Sequence, residues 1–335
     1  MGYGATIFGC ESTKLSASEI SFFKEADPFG FIVFDRNLET SEQIQALCDS
    51  LRDAVGRDAP ILIDQEGGRV QRLRPPLATQ WLPPLDDVVQ FGANAPRAMY
   101  LRYRIIAAEL MALGIDANCA PMVDIATDET HEFLKNRCYG NNLQTVVKVG
   151  QAVAGGLLDG GVLPILKHIP GHGRAVTDSH LDLPVVETNG EVLRQNDFAA
   201  FAALNDIPMG MTAHITYTAF DDRPATLSPK MMGLIREDMG FDGLVMTDDI
   251  SMKALTGTLS ELSRLSLDAG CDVILHCNGT LSEMEDVANA AGAMSEQAER
   301  RAEATLACRR TPDPVDISHL QAQREALLNG TVNGA

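Results

Sequence analysis

Residues 163–180 read LPILKHIPGHGRAVTDSH, and the first half of that stretch decides the fold. A strand with one wet face alternates apolar and polar residues. Here the apolar run continues without alternation, as expected of a strand covered on both faces in a parallel sheet. The run ends in Lys167 and His168, and Pro170, Gly171 and Gly173 then break the chain. Working outward, the same pattern recurs in ATIFG (5–9), GFIVFDR (30–36), PILIDQE (60–66), IDANCAPMVDI (115–125), PMGMTAHI (208–215), GLVMTDDI (243–250) and DVILHC (272–277). Helical periodicity fills the gaps. Over 40–55, Thr40 and Gln43 have capping-box spacing, and Ile44, Leu47, Leu51 and Val55 form one apolar stripe. Residues 97–113, 143–158, 189–204, 228–239 and 258–269 read similarly, with Ser228 as an N-cap and Gly240 as a stop.

Strands alternating with helices predict one (β/α)8 TIM barrel, an α/β fold, over residues 1–311. A doubly wound open sheet would carry a GxGxxG turn after its first strand, but Gly9 runs into CEST. A long helix over 280–309 is expected to close the barrel floor. Residues 312–335 read as a polar, loosely attached C-terminal tail.

Composition narrows the function. A formal net charge of −19 repels phosphate backbones and anionic lipid, so neither nucleic acid nor membrane is an expected partner. No apolar run is long enough to span a bilayer, and the N-terminus reads as a first strand rather than a signal peptide. Seven cysteines without a CxxC pair suit a reducing compartment, so a cytoplasmic location is expected. The expected partner is a small molecule, and the chain a monomer or weak homo-oligomer.

In a barrel, chemistry sits where the strands end. The polar endings are Asp35-Arg36, Asp64-Gln65-Glu66, Lys167-His168, His214 and Thr247-Asp248-Asp249. Any one of them could simply cap its strand. Together they describe charges too costly to bury unpaired, hence a wet cavity. His168, His172, His180 and Asp178 raise the question of a metal. The glycines and proline forbid the helix that His168 and His172 would have to share, and no HExxH occurs, so no metal or cofactor is expected. Asp178 and His180 suit a different role. In extended chain they project to one side, and the carboxylate can hold the imidazole ready for proton transfer. A backbone-tied loop pair is the plainer alternative.

LIDQEGGRVQR (62–72), KHIPGHGRAVTDSH (167–180) and VMTDDISM (245–252) closely resemble bacterial β-N-acetylhexosaminidases of glycoside hydrolase family 3, in their single-domain, peptidoglycan-recycling type. The resemblance implies a (β/α)8 barrel that hydrolyses terminal β-linked N-acetylglucosamine with retention, releasing it from 1,6-anhydro-N-acetylmuramic acid muropeptides. By the same resemblance Asp248 is the nucleophile, a choice that strand parity alone leaves open against Asp249. His180 is the acid/base oriented by Asp178, and Asp64, Arg72, Arg137, Lys167 and His168 hold the sugar. RCYG stands around Arg137 where RSFG is usual, and Arg174 replaces a commonly acidic residue. Glu66, Asp249 and His214 are read as supporting groups, and Trp81 as a packing anchor. A phosphorylase or β-glucosidase on the same scaffold and a silent sugar sensor are the competing readings.

Overall fold

The computed structural model describes residues 2–177 and 182–328. Eight strands form one sheet: β1 (Gly4–Gly9), β2 (Pro28–Val33), β3 (Ile61–Ile63), β4 (Ala117–Asn118), β5 (Leu163–Ile169), β6 (Met209–Thr212), β7 (Leu244–Met246) and β8 (Ile274–His276). Their spatial order is β7-β6-β5-β4-β3-β2-β1-β8, and each pairing is parallel. A parallel bridge, Met246 to Val273, closes the seam between β7 and β8. There the Thr247 N–H donates to the Val273 carbonyl (3.1 Å), and the Leu275 N–H to Thr247 Oγ1 (3.0 Å). The sheet is therefore the expected barrel.

Two apolar layers explain why the strands are continuous in the sequence. Ile7, Ile32, Leu62, Ile165, Met246 and Leu275 face inward and fill the barrel. Their chain neighbours Phe8, Phe31, Ile63, Leu166, Val245 and Ile274 pack outward against the helices. Both sides are dry, so both parities of the strands are mainly apolar until the strands near their C-terminal ends.

Several helices differ from expectation. The single helix expected over 280–309 is two, Leu281–Ala291 and Glu296–Ala307. Gly292 sits between them at φ 63°, a left-handed turn that glycine adopts without strain. The second and the turn before it close the floor, where Met294, Ala298 and Ala302 join the inner layer and Thr305 Oγ1 donates to the Pro208 carbonyl (2.9 Å). The segment 189–204 likewise splits into Gly190–Gln195 and Asp197–Ala202. The tail is docked rather than loose over Ile317–Leu328, a helix whose Leu327 is buried and whose Arg324 reaches Asp87 (2.5 Å).

Candidate active site

The strand ends enclose a cavity of about 430 Å³. Asp64 follows β3 directly and stands at the root of a hairpin, Gln65–Gly67 against Val70–Gln71. Gln65 holds the hairpin shut. Its Oε1 accepts the Arg72 and Leu73 N–H groups (3.0 Å each), and its Nε2 donates to the Leu73 carbonyl (2.9 Å). That fold-back brings Arg72 Nη2 within 3.1 Å of Asp64 Oδ2. The turn needs Gly67 (φ 112°), because a Cβ there would fall 1.8 Å from Arg102 Nη2.

Opposite charges interlock beneath the hairpin. Lys167 Nζ bridges Asp64 Oδ1 (3.0 Å) and Glu66 Oε1 (2.6 Å). Arg137 grips Glu66 with two parallel bonds, Nε to Oε2 (2.9 Å) and Nη2 to Oε1 (2.7 Å). Burial pushes both carboxyls up, but the cations win. Lys167 and then Arg72 hold Asp64 well below the usual carboxylate range, and Arg137 and then Lys167 bring Glu66 down to about 2. Burial opposes the charge on Lys167, yet Asp64 and Glu66 raise its pKa above the ordinary lysine value. With Asp248, Asp249 and Arg69, which line the same cavity, the formal charges balance at four carboxylates against four cations.

Asp248 lies just past β7 and lines the cavity. The Asp249 N–H donates to its Oδ1 (2.8 Å). Asp249 lines the cavity too, so strand parity does not separate the pair: both lie beyond the last paired residue, Met246. Asp249 Oδ1 accepts from Ser251 Oγ (2.8 Å), the Ser251 N–H (3.1 Å) and the Cys277 N–H (3.3 Å). His214 Nε2 lies 3.1 Å from the Asp249 carbonyl and Nδ1 2.7 Å from Thr226 Oγ1. Across the β4–β5 junction, Asp124 Oδ2 lies 2.8 Å from His168 Nδ1, and its Oδ1 accepts the His172 N–H (2.5 Å). Burial and then neighbouring His168 push the His172 pKa down to about 4.

A family model described as the glycosyl hydrolase family 3 N terminal domain matches residues 12–307. The chain belongs to glycosyl hydrolase family 3. A β-hexosaminidase of Vibrio cholerae is 35% identical over 285 residues, covering 82% of this chain and 83% of the relative. One from Alkalilimnicola ehrlichii is 33% identical over 283 residues, covering 82% and 81%. Among solved structures, NagZ from Neisseria gonorrhoeae in complex with N-trifluoroacetyl-D-glucosamine superposes with a TM-score of 0.84 at 26% identity, covering 99% of each chain.

In this family 3 hydrolase, Asp64, Arg72, Arg137, Lys167, His168 and Asp248 all line the one cavity. Asp178 and His180 lie outside the described residues. His172 is buried, and its backbone N–H donates to Asp124. Among the described residues no cluster of His, Cys, Asp or Glu is suited to a metal, and no helix is long and apolar enough to cross a membrane. Trp81 is buried with the guanidinium groups of Arg102 and Arg324 each over its ring at 5.2 Å, and packs there rather than in the cavity. Sequence reasoning passed over Asp124 and Arg69. Asp124 carried a usable signal, since it closes the fourth apolar run as Asp64 and Asp248 close theirs.

Proposed function

We propose that this enzyme is a retaining, exo-acting β-N-acetylglucosaminidase. Its substrate is terminal non-reducing β-linked N-acetylglucosamine on 1,6-anhydro-N-acetylmuramic acid muropeptides, in cytoplasmic peptidoglycan recycling. One observation carries the reading: a single cavity gathers a carboxylate past β7 with a paired-charge set from β3 and β5. The names of the relatives and the amino-sugar ligand of the Neisseria structure support the choice of sugar.

Asp248 attacks the anomeric carbon and forms a glycosyl-aspartate ester as the glycosidic bond breaks. His180, oriented by Asp178, gives its proton to the departing oxygen. The neutral imidazole then takes a proton from water, which releases the sugar from Asp248. Asp64 is well suited to accept sugar hydroxyls. A carboxylate offers about four lone-pair sites, and Lys167 and Arg72 leave some of them open. Arg72 and Arg137 donate to ring hydroxyls and the acetamide.

The test is release of aryl alcohol from an aryl N-acetylglucosaminide, with and without inorganic phosphate, alongside the matching glucoside. Turnover that is independent of phosphate and specific for the acetamido sugar is expected, and Asp248→Ala is expected to abolish it in a folded protein. A 2-fluoro sugar followed by peptide mapping is expected to label Asp248. A label on Asp249, or sugar 1-phosphate as the product, would overturn the assignment.

A further inference from the structure

We propose that Asp124 is a positioning residue that sets the tautomer of His168, so that its Nε2 meets the sugar as a hydrogen-bond acceptor. The inference rests on the reading above, in which His168 touches substrate. Asp124 is fully buried at the end of the fourth strand segment. Each of its oxygens has a distinct partner, His168 Nδ1 at 2.8 Å and the His172 N–H at 2.5 Å. Both contacts fall within hydrogen-bond range.

The chemistry leaves one neutral arrangement. An ionised carboxylate only accepts, and although burial opposes the charge of Asp124, the hydrogen bonds from His168 and from the His172 N–H favour the charged form. His168 Nδ1 must therefore carry the proton. In the neutral ring the lone pair is then on Nε2, and a sugar hydroxyl is the donor that fits it. His168 lines the cavity beside Lys167 and Asp64, whose Lys167 Nζ is a donor and whose carboxylate is an acceptor. With His168 fixed as an acceptor, the cavity offers a sugar two acceptors and one cation, a set that its hydroxyls can satisfy by rotating their protons.

The same carboxylate ties this imidazole to the glycine-broken segment after β5. That segment is held further by Thr130 Oγ1 on the Gly173 carbonyl (2.5 Å) and Tyr217 Oη on the Gly171 carbonyl (2.7 Å). A purely structural role for Asp124 would need only the His172 contact. The two roles separate in Asp124→Asn. The backbone N–H of His172 cannot change, so the amide oxygen must face it and the NH2 must face His168. His168 Nδ1 then becomes an acceptor, the proton moves to Nε2, and the ring offers the sugar a donor.

The experiment is 15N NMR of imidazole-labelled protein with steady-state kinetics on an aryl N-acetylglucosaminide, for wild type, Asp124→Asn, His168→Ala and the double variant. In wild type the His168 signals are expected to report protonated Nδ1, and in Asp124→Asn protonated Nε2. With the tautomer, kcat/KM is expected to fall about tenfold to a hundredfold and the Ki of N-acetylglucosamine to rise. The double variant is expected to lose no more than His168→Ala. An unchanged tautomer in Asp124→Asn, or a changed one with kcat/KM equal to wild type, would overturn the inference. A wild-type protein that does not cleave the substrate at all would instead refute the proposed function, and the NMR would still read the tautomer.

Discussion

At the scale of single residues, the site is a problem of buried charge. Glu66 is 2% exposed and touches two cations. Taking its charge away leaves Arg137 and Lys167 partly unanswered in a dry place. Removing one partner of such a pair costs about 3–5 kcal/mol. Glu66→Gln is therefore expected to lower stability by that order at neutral pH, read as the urea midpoint. The pH dependence has a definite sign. The folded pKa is depressed to about 2 from 4.5, so the stabilisation is complete above 4.5 and disappears as the pH falls through about 2. Wild type and Glu66→Gln should therefore differ more at pH 7 than at pH 3, and converge only below about pH 2. An equal gap at both values would mean that the ionised form is not what the site stabilises. His172 adds a slope of the same sign for the opposite reason. Burial holds it neutral down to about 4, while the unfolded chain takes a proton near 6.5, so stability also falls as the pH drops between those values.

At the scale of elements, the docked helix Ile317–Leu328 reaches the site through a chain of contacts. Arg324 and Arg102 share Asp87 Oδ2, each at 2.5 Å. Arg102 also donates to the Leu82 carbonyl (3.0 Å) and to the carbonyl of Glu66, within the hairpin that follows Asp64. Trp81 lies beneath both arginines and is the single tryptophan, so its emission reports this contact alone. Removal of residues 312–335 is expected to shift that emission to the red under native conditions. It is also expected to raise KM more than it lowers kcat, because the hairpin carries Arg72 and follows Asp64. Unshifted emission in the truncated protein would show the helix to be a bystander. None of this docking was legible in the sequence. Ile317, Leu320 and Leu327 are too sparse to mark a stripe, and the anchors are arginines, which look like surface until a buried aspartate is found beneath them. The eight strands were legible for the converse reason: with both faces dry, their apolar runs are unbroken. The cavity residues were legible as polar strand endings and, by resemblance, as motifs. The supporting bonds of Glu66 and Asp124 were not, because they depend on which strand lies alongside, nor were those of Gln65, which depend on how its own hairpin folds back.

At the scale of the whole molecule, the surface and the cavity differ in electrostatic character. The chain carries a net charge of −19, while the groups at the cavity balance, Asp64, Glu66, Asp248 and Asp249 against Arg69, Arg72, Arg137 and Lys167. The long-range field is set by the former and the contact energy by the latter, and salt distinguishes them. Screening lengths fall from about 30 Å at 0.01 M to about 10 Å at 0.1 M, which removes the surface field but leaves buried pairs nearly intact. An uncharged aryl N-acetylglucosaminide feels no long-range field, so its kcat/KM should be flat over that range. A muropeptide whose stem carries free carboxylates is repelled on approach, and its kcat/KM should rise a few-fold with added salt, through association rather than chemistry. Parallel kinetics on the two substrates from 0.01 to 0.2 M NaCl make the comparison. A fall with salt for the acidic substrate would mean that the arginines at the mouth, Arg69 and Arg72 among them, govern its capture in spite of the surface around them.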